Sequence, residues 1–171
     1  MSSGIVVDAN IMNAFSQSLI RRQATEARAV IELIGGTHGF AIDEKGRIQH
    51  QWLETCDQVF FGPWFVDALK SGKIRVVAAH LEANHKKKLR IDCGMPSARF
   101  EMEYVAVANR VLPPKYIVTD DIDFWEPRAK KSTEQRKQAI KTKRTGCVCE
   151  YLAALDIRIG TVSQALADLS S

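Results

Sequence analysis

Short apolar runs alternate with helical stretches along the whole chain, and this pattern restricts the fold more than any other feature. The runs Ile5–Val7, Phe40–Ile42, Ile74–Ala78, Tyr116–Thr119 and Ile157–Val162 are strand-like, being short, apolar and rich in β-branched residues. Between them the spacing predicts helices over Ser16–Ile34 (stopped by Gly35-Gly36), Ile48–Cys56, Pro63–Lys70, Glu101–Leu112, Gly146–Leu155 and Gln164–Leu169. Leu81–Arg90 reads as a polar helix or loop. Strands separated by helices form parallel sheets, because a parallel pair needs a long crossover. The expectation is a single α/β domain over residues 1–171, a three-layer sandwich whose central, mostly parallel sheet carries helices on both faces. At 171 residues with 46% hydrophobic content the chain can fill one such core. No apolar run is long enough for a membrane span, and no secretory signal is evident. Four cysteines in a chain of this size do not make a disulfide framework, so reduced thiols and a cytoplasmic setting are expected.

Ligands of open parallel sheets bind beyond the C-terminal strand ends. Two strand-like runs end there in acids: Asp8 after the first, and Asp120, Asp121 and Asp123 after the fourth. Glu101 opens the helix that leads into that fourth strand. Carboxylates converging on one edge repel one another unless a cation joins them, and an all-oxygen ligand set suits Mg²⁺ or Mn²⁺. The alternative for each strand-end Asp is that it caps the following helix or turn.

Charge is unevenly spread. From 126 to 145 there are eight basic residues against two acids, +6 in a chain of net charge +4. Lys130, Lys131, Arg136, Lys137, Lys141, Lys143 and Arg144 are the candidate nucleic-acid contacts of this basic insertion. The segment is read either as a polyanion contact or as a simple insertion. Lys86-Lys87-Lys88 with Arg90 is read either as a phosphate track or as a solvated helix face.

Three stretches in order resemble the PIN-domain family: I-V-V-D-A-N at Ile5–Asn10, E-M-E-Y-V-A-V-A at Glu101–Ala108, and Y-I-V-T-D-D-I-D-F at Tyr116–Phe124. The tail from Asp156 resembles the family's last strand and helix, so the likeness covers most of the chain except the basic insertion. The resemblance implies a metal-dependent endoribonuclease using Mg²⁺ or Mn²⁺. Asp8, Glu101, Asp121 and Asp123 would be catalytic residues, the first three of them metal ligands, with Asp123 supporting a second ion or the loop. Asn10 would orient a bound water or the first acid, and Thr119 would hydrogen-bond near the metal or phosphate. Glu101 stands where the family normally has Asp. The family's second acid, a Glu, aligns with Gln51, an amide; Glu54, one turn further on, and Asp43 are the other candidates. This departure leaves a catalytically degenerate module, binding RNA or a protein, as the alternative function.

Single-stranded RNA is the expected partner, since a splayed strand enters an open cleft more easily than a stiff duplex. The resemblance also allows a toxin of a toxin–antitoxin pair, a protein inhibitor or antitoxin as partner, and a homodimer. Trp125, between the acids and the basic insertion, is a candidate for stacking on a base. His80 and His85 are spaced wrongly for a zinc helix, and Cys147 with Cys149 lacks a second ligand pair.

Overall fold

The computed structural model describes residues 3–96, 101–128 and 134–171. In chain order the elements are β1 Val6–Val7, α1 Ala9–Arg21, α2 Glu26–Thr37, β2 Phe40–Asp43, α3 Arg47–Thr55, α4 Gln58–Lys70, β3 Ile74–Val77 and α5 Ala83–Lys87. A π-helical turn, Lys88–Asp92, continues α5. Then come α6 Glu101–Ala108, β4 Lys115–Val118, a 3₁₀ turn Ile122–Phe124, α7 Glu134–Lys143, α8 Cys147–Ala153, β5 Ile157–Gly160 and α9 Val162–Leu169.

All the strand pairings are parallel. β4 lies between β1 (Val6 opposite Ile117) and β5 (Ile117 opposite Ile159), and β2 pairs with β3 (Phe40 opposite Ile74). A parallel bridge, Ile5 to Phe40, places β1 beside β2, giving the order β3-β2-β1-β4-β5. The fold is α/β with a parallel sheet, and the arrangement is compatible with a three-layer sandwich. Helix α6 packs across β1, β2 and β4, while α2 packs against both α1 and α9. β1 is wholly buried, as is β4 apart from its first residue, which explains their continuous apolar runs.

The limits of two predicted helices are corrected. The single helix expected over Ser16–Ile34 is two helices. Arg22 adopts a left-handed conformation (φ 52°) that stops α1, and the Thr25 hydroxyl accepts from Arg28 N at 3.1 Å to start α2. The Gly35-Gly36 pair lies inside α2, and the chain turns instead at Gly39 (φ 74°), whose N–H donates to the Ile34 carbonyl. Helix α4 begins five residues before Pro63, where the Asp57 carboxylate accepts from Val59 N.

The reading of all four cysteines as free thiols is also corrected: Cys93 and Cys147 form a disulfide, whereas Cys56 and Cys149 are free and buried. The two partners are separated by 54 residues, and nothing in their local sequence pairs them. Among the described residues no helix is long and apolar enough to cross a membrane.

Candidate metal centre

The site lies where β1 and β4 end. Asp8 is held in the sheet by its N–H, which donates to the Val118 carbonyl at 3.0 Å, and its extended backbone carries the chain into α1. It occupies the cap position of that helix, yet its carboxylate makes no capping hydrogen bond. Its Oδ2 instead accepts from the Thr119 hydroxyl at 2.8 Å, across the β1–β4 pair. The capping alternative therefore fails for Asp8. It holds for Asp43, whose two carboxylate oxygens accept from Arg47 N and Ile48 N and start α3, and for Asp121, whose carboxylate accepts from Asp123 N at the cap of the 3₁₀ turn.

Thr119 also sets the next acid. Its Oγ1 accepts from Asp121 N at 3.0 Å, and Asp121 Oδ1 accepts from Asp123 N at 3.0 Å. This chain of short-range bonds forms the 3₁₀ turn and brings Asp121 and Asp123 to the same edge as the first residue of α6. Carboxylate oxygens of Glu101, Asp121 and Asp123 all lie within 4.8 Å of one another. Glu101 and Asp123 are buried, and Asp121 is half-buried.

Electrostatics report the crowding. Burial pushes the Asp8 carboxyl up to about 6. The Thr119 bond and the nearby amides of Asn10 and Ala9 lower it in part, and the charge of Asp121 raises it further. Burial likewise pushes Glu101 up to about 7, with Asp123 and Asp121 adding to the rise. Its Oε2 is buried with no hydrogen-bond partner among the described residues. A buried carboxylate oxygen without a donor is costly unless a proton or a cation satisfies it. The cluster of buried acids can hold a metal ion, and its all-oxygen donor set is of the hard-cation type. Asp123, expected to be catalytic but not a metal ligand, completes the three-acid group, with Asp8 adjoining it through Asp121.

Gln51 approaches from α3. The Tyr104 hydroxyl donates to Gln51 Oε1 and accepts from Ala9 N at 3.2 Å, so the amide sits one residue's bond from Asp8. Tyr104 was not singled out by the sequence, although it lies three residues after Glu101 and thus on the same helix face. The Trp52 indole N–H donates to the Val7 carbonyl at 3.0 Å and anchors α3 to β1. Glu54 is not brought to the site: it is exposed and pairs with His50 at 3.0 Å. Glu103, half-buried, pairs with Arg47 at 3.5 Å.

A cleft of about 370 Å³ opens beside the acids, lined by Asn10, Asp121, Lys137, Gln138 and Lys141 among others. Helix α7 forms its far wall. Lys141 Nζ donates to the Asp120 carbonyl, which ties α7 to the acidic loop, and Lys137 pairs with Glu134 at 3.2 Å. Arg136 and Lys143 are exposed. Arg144 turns away from the cleft, binding Asp168 and the Tyr116 hydroxyl. That triad requires a glycine at 160, where a Cβ would fall 1.8 Å from the Tyr116 oxygen. Lys130 and Lys131 lie outside the described residues. Trp125 is fully buried, which corrects its reading as a stacking platform.

Comparison with known proteins finds no family model, curated protein or solved structure that matches this chain.

Proposed function

We propose that this chain is a PIN-like, divalent-metal-dependent endoribonuclease acting on single-stranded RNA in a Mg²⁺- or Mn²⁺-dependent reaction. The observation that carries the reading is the convergence of Glu101, Asp121 and Asp123 within 4.8 Å, beside Asp8, at the C-terminal ends of β1 and β4. A cation held there supplies activation of water and neutralisation of charge on a phosphoryl group. Glu101, Asp121 and Asp123 hold the ion, and Asp8 contributes a further charge from the β1 side. Thr119 fixes the orientation of Asp8 and the turn of Asp121. Lys137 and Lys141 lie across the cleft, where a phosphate backbone entering the site would meet them. A toxin role belongs to this proposal as one setting for such an enzyme.

A second reading, a degenerate module that binds RNA or a protein without cutting, is favoured by the neutral Gln51 beside the acids. Incubation of the purified chain with single-stranded RNA separates the two. The nuclease reading expects internal cleavage with Mn²⁺ and none with EDTA; intact RNA under both conditions supports the module.

Gln51→Glu probes the missing charge. Glu retains an oxygen for the Tyr104 hydroxyl and adds one negative charge near the acids. Mn²⁺ affinity should rise by about fivefold, the equivalent of an attraction on the order of 1 kcal/mol at surface-like dielectric. Calorimetric titration measures it, and an unchanged affinity would place Gln51 outside the field of the ion. Glu54→Gln should leave the affinity unchanged, because Glu54 faces His50.

A further inference from the structure

The basic residues near the middle of the chain do not spread over an isolated helix face. Lys86 and Lys87 are exposed on α5, and Lys88 and Arg90 are exposed on the π-helical turn. Arg128, from the loop that leaves the acid cluster, joins them. Its Nη2 donates to the Ile91 carbonyl at 3.3 Å, and its side chain packs near Gly94. Tyr151 of α8 holds the other side of the group: Lys88 Nζ lies 5.8 Å from its ring centroid, and its hydroxyl is 2.5 Å from His85 Nδ1. The Cys93–Cys147 disulfide fastens the turn to the start of α8. Three separate segments are thus locked together with five cations outward. The acids on the same stretch are Glu82 and Asp92, one at each end.

The patch is tied to the acid cluster through Arg128. Arg128 comes five positions after Asp123, so their Cα atoms are at most about 18 Å apart even if the chain were fully extended. Glu126, between them, accepts from Cys147 N at 3.0 Å, and the Trp125 carbonyl accepts from Val148 N at 2.9 Å. These bonds hold the loop against α8. A strand whose scissile phosphate sits at the acids has the α7 lysines beside the cleft and the second group of cations within a few nucleotides.

We infer that Lys86, Lys87, Lys88, Arg90 and Arg128 form a second phosphate-binding surface, which holds the RNA strand beyond the cleft. The inference rests on the ribonuclease reading of the acid cluster. An ordered set of like charges costs mutual repulsion, which a polyanion relieves, with release of its counterions. The cross-linked scaffold keeps the ordering cost of binding low. The consequence is a site whose affinity depends on RNA length: short oligonucleotides fill the acid cluster and cleft, and longer ones add the second surface.

The test compares the wild-type protein with the triple variant Lys86→Gln, Lys87→Gln, Arg90→Gln, all exposed positions whose side chains make no hydrogen bond or ion pair among the described residues. Binding to labelled single-stranded RNA of about 6 and about 24 nucleotides is followed by fluorescence anisotropy in EDTA over a range of salt. For the long RNA the slope of log affinity against log salt should fall by about 2, three contacts at roughly 0.7 each. For the short RNA it should not change. Unchanged slopes at both lengths, or an equal loss at both, would overturn the second surface while leaving the nuclease reading standing. Failure of the wild type to bind either RNA would instead remove the reading on which the inference rests. Competition by polyglutamate as effective as that of RNA of equal charge would assign the patch to an acidic protein partner and overturn the inference.

Discussion

Asp8→Asn and Asp121→Asn should each lower Mn²⁺-dependent RNA cleavage by on the order of 10²–10³-fold or more, while the protein stays folded. Each change removes one charge from a cluster whose proposed work is to hold a cation. The fold should survive for a local reason. Asparagine at position 8 keeps an oxygen for the Thr119 hydroxyl, which donates to the Asp8 carboxylate. Asparagine at 121 keeps an oxygen for Asp123 N. Both substitutions also relieve the repulsion between these two acids. Melting temperatures in EDTA should therefore be equal to wild type or higher at pH 7.5. Cleavage at the wild-type rate by either purified variant would exclude that residue from the site.

Metal-free protein should lose stability as the pH rises from about 4 to about 7. Asp8 is pushed from 3.8 to about 6, and Glu101 from 4.5 to about 7. The folded state therefore binds these protons more tightly than the unfolded chain does. The stabilisation is complete below the unfolded values, near pH 4, and is lost as the pH passes the folded values of about 6 and about 7. For Asp8 alone the loss is on the order of 3 kcal/mol. Glu101 acts in the same direction, and its higher value extends the loss toward pH 7. A divalent cation reverses the trend, because it binds only the deprotonated acids and stabilises the state that holds it. Urea unfolding in EDTA should show the decline, and added Mn²⁺ should stabilise more at pH 7.5 than at pH 5.5. Asp8→Asn should flatten the EDTA profile. A wild-type profile in EDTA that is level or rising between pH 5 and 7 would contradict the crowding of the acids.

The alternation of strands with helices and the acid positions were legible because they rest on local pattern. A fully buried parallel strand must be apolar on both faces, so β1 and β4 stand out as unbroken runs, and the acids that follow them mark the strand ends. Glu101 was legible because it opens the helix that leads into β4, whose end carries the other acids. The break between α1 and α2 was hidden, because Arg22 in a left-handed conformation carries no sequence mark such as glycine. Gly35-Gly36 misled in the opposite sense, since neighbouring tertiary contacts outweigh a weak helix propensity. Trp125 looked exposed only by its position between polar segments, and the α8 backbone closes over it. The Cys93–Cys147 pair, the Tyr104 bridge to Gln51 and the link from Arg128 to the Lys88 turn all join residues distant in sequence. No periodicity reports such contacts, and they decide how the site is supported.

The most direct test of the central claim is a crystal of this chain soaked in Mn²⁺, with anomalous scattering recorded to locate the ion. The expected result is a peak coordinated by carboxylate oxygens of Glu101, Asp121 and Asp123, with Asp8 in its first or second coordination sphere. A peak at other residues, or full Mn²⁺ exposure at pH 7.5 with no peak between these acids, would contradict it.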